Sequence, residues 1–188
     1  YMTDKPRSST SSNLSRELLE SLVFQPALRP AIPEDIVRDF VMRRQRTFPG
    51  YEPQSDLDLV EWVKERTLIP RSEWWADTDS ALSESLARLL EDKLHRIQTA
   101  SSNLIIATED KSWVEQQLHN VSPTLIGNWM QYYGPLTLDD IVEKLGTSKT
   151  ETESALVHLI GDSTLIVGQL VKNKEQDKKQ IYYLSLIH

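Results

Sequence analysis

The last third of the chain is punctuated more tightly than any other stretch, and that punctuation sets the fold. Ser122-Pro123 supplies a capping hydroxyl and a proline suited to a first helical turn, and Leu125, Ile126, Trp129 and Tyr133 follow on one face. Gly134 fits the left-handed residue after a helix end, and Pro135 marks the stop. Thr137 caps a second helix, with Leu138, Ile141, Val142 and Leu145 at i, i+3, i+4 and i+7, and Gly146 closes it. A third helix runs from about Ser148 to Ile160, with Thr152, Ala155, Leu156, Leu159 and Ile160 inward. Two strand-like runs, 164–171 and 180–186, flank the polar loop 172–179. A middle helix this short must pack on its neighbours. With a hairpin covering the open side, the order is that of a helix-turn-helix with a wing, a winged-helix domain.

Upstream the reading is helical, with corners at prolines. Residues 1–12 are polar and Ser-rich and read as a tag remnant and disordered tail. Asn13 opens a helix on Leu14, Leu18, Leu19, Leu22 and Val23, ended by Pro26 and Pro30. Pro33 opens a second, with Glu34 and Asp35 at its positive end and Ile36, Val37, Phe40 and Val41 apolar. Ser55 caps a third, carrying Leu59, Val60, Trp62 and Val63 and closing near Leu68, because Pro70 disfavours helix before it. Ser72 begins a short segment with Trp74 and Trp75. Residues 81–94 carry Leu82, Leu86, Leu89, Leu90 and Leu94 at helical spacing. The β-prone runs 95–98 and 104–107 suggest a hairpin. The fold expected is mainly α with small β: a helical bundle over 13–100, then a winged-helix domain over 101–188 with its core at 122–188.

Several function classes are excluded by what the chain lacks. It has no Cys, hence no disulfide framework and no thiolate nucleophile or metal ligand. With 6 Gly it contains neither GxGxxG nor GxxxxGK[ST], so the common phosphate cradles are missing. No apolar run approaches the roughly 18 residues of a membrane span. His95, His119, His158 and His188 are too far apart in sequence for one short segment to present two imidazoles to a metal. The pair Asp139-Asp140 follows Thr137, where carboxylates favour the helix dipole, and needs no catalytic explanation. Trp62, Trp74, Trp75, Trp113 and Trp129 fall at apolar helical positions, where core packing is the default expectation. Adjacent Trp74 and Trp75 cannot both point inward.

The DNA-binding reading of a winged helix meets a mixed charge pattern. Outward positions of the third helix include Lys149, Thr150, Glu151, Glu153, Ser154 and His158, and no Arg stands there to read guanine. Residues 101–188 hold 7 Lys, 11 acids and no Arg, within a chain of net charge -7. The wing differs, with Lys172, Lys174, Lys178 and Lys179 against Glu175 and Asp177. Arg43, Arg44 and Arg46 form a second basic patch, in which Arg43 and Arg46 would share a helix face. That patch reads either as a phosphate contact or as arginines that neutralise the helix end and pair with Glu34, Asp35 or Asp39.

The segment IPEDIVRDFVMRRQRTFPGYEPQSDLDLVEWVKERTLIPRSEW resembles an accessory region of large superfamily-two DNA helicases of the Lhr (large helicase-related) type. NLIIATED and IGNWMQYYGPLTLDDIVEKLGTSKTETESALVHLIGDSTLIVGQLV are similar to the stretch leading into and through the winged helix of such proteins. The hallmarks are the turn Tyr133-Gly134-Pro135, the helix-turn-helix and the run Val167–Leu170; the resemblance covers about residues 30–171. It implies a parent that translocates on single-stranded DNA with ATP, unwinds it and acts in repair, while the composition by itself reads as that of a cytoplasmic protein without enzymatic activity. The chain itself has no Gly-Lys-Thr loop and no Asp-Glu-x-His box, so no catalytic residue, cofactor or metal is carried over. The resemblance thus implies a non-catalytic accessory fragment whose partners are the parent's helicase core and DNA, weakly bound and single-stranded or tailed. The DNA-contact candidates are Lys172, Lys174, Lys178, Lys179, Arg43, Arg44 and Arg46. The alternatives are a protein–protein interaction module built on the acidic third helix, and a transcriptional regulator.

Overall fold

A computed structural model describes residues 32–74, 88–89, 92–168, 171 and 180–183 of the chain. The chain separates into two units, Tyr1–Pro30 and Ala31–His188. The first unit lies outside the described residues, and so do the helix expected from Asn13, Trp75 and the Trp74 ring.

In chain order the described elements are α1 (Glu34–Arg44), α2 (Asp56–Arg66), β1 (Ile69–Pro70), α3 (Arg71–Trp74), β2 (Leu94–Gln98), β3 (Asn103–Ala107), α4 (Lys111–His119), α5 (Pro123–Met130), α6 (Leu138–Leu145), α7 (Lys149–Gly161), β4 (Leu165–Gly168) and β5 (Gln180–Tyr183). The fold is helical with two small antiparallel sheets: a helical region followed by a winged helix with a β-hairpin wing.

Caps define the winged helix. Ser122 accepts a hydrogen bond from the Thr124 amide at the start of α5. Thr137 and Asp140 form a reciprocal capping box on α6. Asp140 is thereby accounted for as a cap. Gly146 ends α6 at φ 65, and a Cβ there would collide with the Thr99 side chain. The helix-turn-helix and the β2–β3 turn are therefore pressed together at a site that only glycine fits. In α7, Thr152 is fully buried, and its hydroxyl is satisfied by Ser148 O and the Thr147 hydroxyl, both at 2.8 Å.

The wing pairs β4 with β5, Leu165 opposite Tyr183 through Gly168 opposite Gln180. Leu136 adds a third short rung, exchanging hydrogen bonds with Ile181 at 2.7 and 2.9 Å. Past the hairpin, the Gln180 side-chain amide bonds both the N–H and the C=O of Val171, and Val171 lies beside Ile32 in a parallel bridge.

The second sheet, ordered β1-β3-β2, stands between two apolar clusters. Leu104 and Ile106 face the winged-helix core with Leu125, Ile126, Trp129, Ile141 and Leu156. Ile105, one residue out of phase, faces Leu59, Val60, Trp62 and Val63 of α2. Adjacent Leu68 and Ile69 divide in the same way, Leu68 to the first cluster and Ile69 to the second. Alternation along a strand thus feeds two cores from one run of apolar residues.

Several expectations are corrected. Leu94 opens β2 instead of closing the preceding helix; of 81–94, residues 88–89 are helical and most of the rest lies outside the described residues. α2 stops at Arg66, because Thr67 turns to φ 67, and Ile69-Pro70 then pairs with Ile105-Leu104 as a strand the local pattern did not announce. Gly134 is absent from the residues with positive φ. Its role is clearance: an added Cβ would sit 3.1 Å from Val41 Cγ2 and 3.4 Å from Val37 Cγ1, so the missing methyl admits α1. Trp113 is 40% exposed, whereas Trp62 and Trp129 are buried as expected.

Ile105→Ala should lower unfolding free energy by about 3–4 kcal/mol in urea denaturation. Its exposed cross-strand neighbour Arg96, changed to Ala, should shift stability by less than about 0.5 kcal/mol.

Candidate functional site

The strongest concentration of polar chemistry among the described residues joins α2 and α3 to the winged helix. Arg66 occupies the apolar stripe of α2, one turn beyond Trp62 and Val63, and is 1% exposed. Such a charge is tolerable only with close partners. Its Nη2 donates to Glu73 Oε2 at 2.9 Å and to the Tyr133 hydroxyl at 2.7 Å. That hydroxyl donates in turn to Glu73 Oε2 at 2.5 Å, while Lys144 Nζ of α6 donates to Oε1 at 2.8 Å. The Arg66 guanidinium also lies over the rings of Trp62 (5.6 Å) and Tyr133 (5.3 Å). Arg66 Nε and, beside the Tyr133 ring, Trp129 Nε1 are buried without a hydrogen-bond partner among the described residues.

Electrostatically this is a closed latch. Two cations share one carboxylate, and Tyr133 is held protonated: burial raises its pKa well above 10.0, the Arg66 charge opposes that rise, and the Glu73 charge reinforces it. Both oxygens of Glu73 are committed, which is the arrangement of a structural network. A polar cleft of about 530 Å³ opens beside it, with Arg71, Ser72, Ser102, Asp140, Glu143 and Lys144 in its wall. Sequence reasoning singled out Tyr133 as part of an aromatic-Gly-Pro turn but missed Arg66, Glu73 and Lys144. One signal was legible, an arginine at an apolar-stripe position of a helix.

The expected basic patch is dispersed. α1 ends at Arg44, and Arg46, at φ 55, has left the helix, so Arg43 and Arg46 do not share a helical face. Arg46 is clamped between Asp58 and Glu65 of α2, each at 3.0 Å, rather than paired with Glu34, Asp35 or Asp39. Arg44 lies over the Tyr132 ring at 5.8 Å. Arg43 is exposed and stacks over Phe48 (4.6 Å) and Tyr51 (5.7 Å). Lys172, Lys174, Lys178 and Lys179 lie outside the described residues.

The outward face of α7 is acidic and apolar. Lys149 donates to Asp139 at 2.7 Å, a bond that raises the lysine pKa. Beyond it stand Glu151, Glu153 and Val157, the last 63% exposed. Among the described residues no three His, Asp or Glu side chains are placed to hold a metal ion, and no helix is long and apolar enough to cross a membrane.

No family model matches the chain, and no curated protein matches it. Among solved structures the chain is similar to one in the endosomal complex ESCRT-II (VPS22/VPS25/VPS36), at 13% identity and a TM-score of 0.28, over 70% of this chain. It spans 63% of that chain, less than two thirds of its length, and the likeness is too slight to bear on function.

Glu73→Ala leaves the Arg66 charge buried with only a hydroxyl for company and should cost about 3–5 kcal/mol in urea denaturation. Replacing both by apolar residues, as Arg66→Met with Glu73→Leu, should recover most of that loss. Tyr133 also sets an alkaline limit. Its folded pKa exceeds the unfolded value of about 10, so the folded state keeps a proton that the unfolded state releases. Stability is therefore full below pH 10 and falls above it, by at most about 1.4 kcal/mol per pH unit from this group. Denaturation curves between pH 9 and 11 should show a shallower decline for Tyr133→Phe than for the unaltered chain.

Proposed function

We propose that this chain is a non-catalytic accessory module of an Lhr-like DNA helicase, a rigid winged-helix piece that supports the motor and touches DNA at its margins. The observation that carries the reading is the position of the latch. Tyr133-Gly134-Pro135, one of the hallmarks of the resemblance, is where Glu73, Arg66 and Lys144 converge and where α1 packs over a bare glycine. The extent of the resemblance, about residues 30–171, also falls, but for its first residue, within the second compact unit, Ala31–His188. In this reading the chain performs no chemistry of its own. Its DNA contacts are the wing lysines Lys172, Lys174, Lys178 and Lys179, with Arg43 as an outlying cation. Arg46 is already neutralised and contributes nothing to binding.

A second reading, docking on a protein through α7, is favoured by the Lys149–Asp139 pair and the exposed Glu151, Glu153 and Val157. Phosphate would be repelled from that face.

The two readings separate in fluorescence anisotropy with a tailed DNA duplex. Weak binding at 50 mM salt should fall roughly 50-fold by 200 mM if about four phosphates of the single-stranded tail are contacted, and roughly 150-fold if they lie in the duplex. Changing the four wing lysines to Ala should remove most of it, and Arg46→Ala should not. No binding at low salt, or binding indifferent to the wing lysines, overturns the DNA contact.

A further inference from the structure

The three-stranded sheet has two unlike edges. β1 is two residues long and ends in Pro70, which has no N–H to offer a further strand. β2 is five residues long; among the described residues β3 is its only strand neighbour, and no other described element packs extensively along it. Its outward groups follow from two hydrogen bonds. Thr99 N donates to Ser102 O, and Thr108 N donates to Lys93 O, each at 2.9 Å. In an antiparallel ladder hydrogen-bonded pairs recur at every second residue. Positions 93, 95, 97 and 99 therefore bond toward β3, and the N–H and C=O groups of Leu94, Arg96 and Gln98 point away from it.

At the Gln98 end of this edge lies a groove of about 310 Å³ between α4 and the start of α7. Ile97, Leu118 and Val121 give it an apolar wall, while Glu115 and Glu151 charge its rim. Among the described residues no Lys or Arg lines it, although His119 does. Lys111 approaches Glu115 only to 3.9 Å, with both side chains more than 40% exposed, and such a pair contributes little. Arg96 lies on the face of the sheet opposite Ile97. A strand edge without a strand partner among the described residues thus runs into a groove that is apolar on its wall and anionic at its mouth.

We propose that the outward edge of β2 takes up an extended segment of a partner protein, one that alternates apolar residues with Lys or Arg. Main-chain bonds to Leu94, Arg96 and Gln98 set its register. One cationic head sits between Glu115 and Glu151, with its alkyl stem along Ile97 and Leu118. The carboxylate rim repels a phosphate backbone, so the occupant is a basic polypeptide and not a nucleic acid. The surface is built from residues other than the DNA-contact candidates, sharing only Glu151 with the α7 docking face, and its test is independent of the DNA reading.

The probe is a capped synthetic peptide of about 9 residues alternating Lys with Val and Thr, titrated into the whole chain and followed by calorimetry and amide hydrogen exchange. Exchange at Leu94, Arg96 and Gln98 should slow by at least about tenfold on binding. Glu115→Lys combined with Glu151→Lys, both at exposed positions, should weaken affinity by about tenfold or more. A peptide with Glu in place of Lys should not bind. Arg96→Pro removes an outward N–H without touching a bond to β3 and should abolish binding. Circular dichroism reports whether that variant folds, and if it does not, the surface carboxylate pair decides the matter. Absence of exchange protection at β2, equal binding of the acidic peptide, or indifference to the charge reversal overturns the proposal.

Discussion

The fold depends on β3 being buried on both faces. Leu104, Ile105 and Ile106 are each 0% exposed, yet they serve different cores, Ile105 that of α2 and its neighbours that of the winged helix. A strand in this position removes a large apolar area from water only if both layers are in place at once. The helical region and the winged helix are consequently partners in one folding problem. The run Leu104–Ala107 is almost wholly apolar because neither of its faces meets solvent.

The latch answers the question this arrangement raises, namely what orients the two layers about the shared strand. Apolar contact is non-directional, whereas a carboxylate gripping a guanidinium, a phenol and an ammonium is not. Glu73 reaches Arg66 within its own layer and Tyr133 and Lys144 in the other. The glycine beside Tyr133 then lets Val37 and Val41 of α1 close over the same turn. Register along the turn is thus set by hydrogen bonds, and its cover by the lack of a methyl group.

What was legible in the residues, and what was not, follows the range of the interactions. Ser122, Thr137 and Gly146 act on main-chain groups within a few positions of themselves, so α5 and α6 start close to where their caps put them. The same locality exposes the β2–β3 hairpin. β1 escaped because two residues carry no periodicity and their partner is 36 positions away, Ile69 opposite Ile105. The partners of Arg46 escaped because a local reading offers the acids of its own helix, while the backbone turns at φ 55 and hands the side chain to α2. Trp113 was misread for the opposite reason: an aromatic at an apolar position suggests burial, but Val114 and not its neighbour is the residue α4 turns inward. Arg66 and Glu73 lie only 7 positions apart, but Tyr133 and Lys144 reach Glu73 across 60 and 71 positions, separations that no window of sequence spans.

The Gln180 side chain has a further consequence. By bonding both main-chain groups of Val171, its amide performs the work of one more backbone pair and closes the base of the wing. Loop-closure entropy grows only slowly with length. A clasp at residues 171 and 180 therefore uncouples whatever the chain does between them from the alignment of β4 and β5. The stretch between the two is a natural point for sequence to lengthen, shorten or be exchanged, while the hairpin, the Leu136 rung and the helices beneath keep their places.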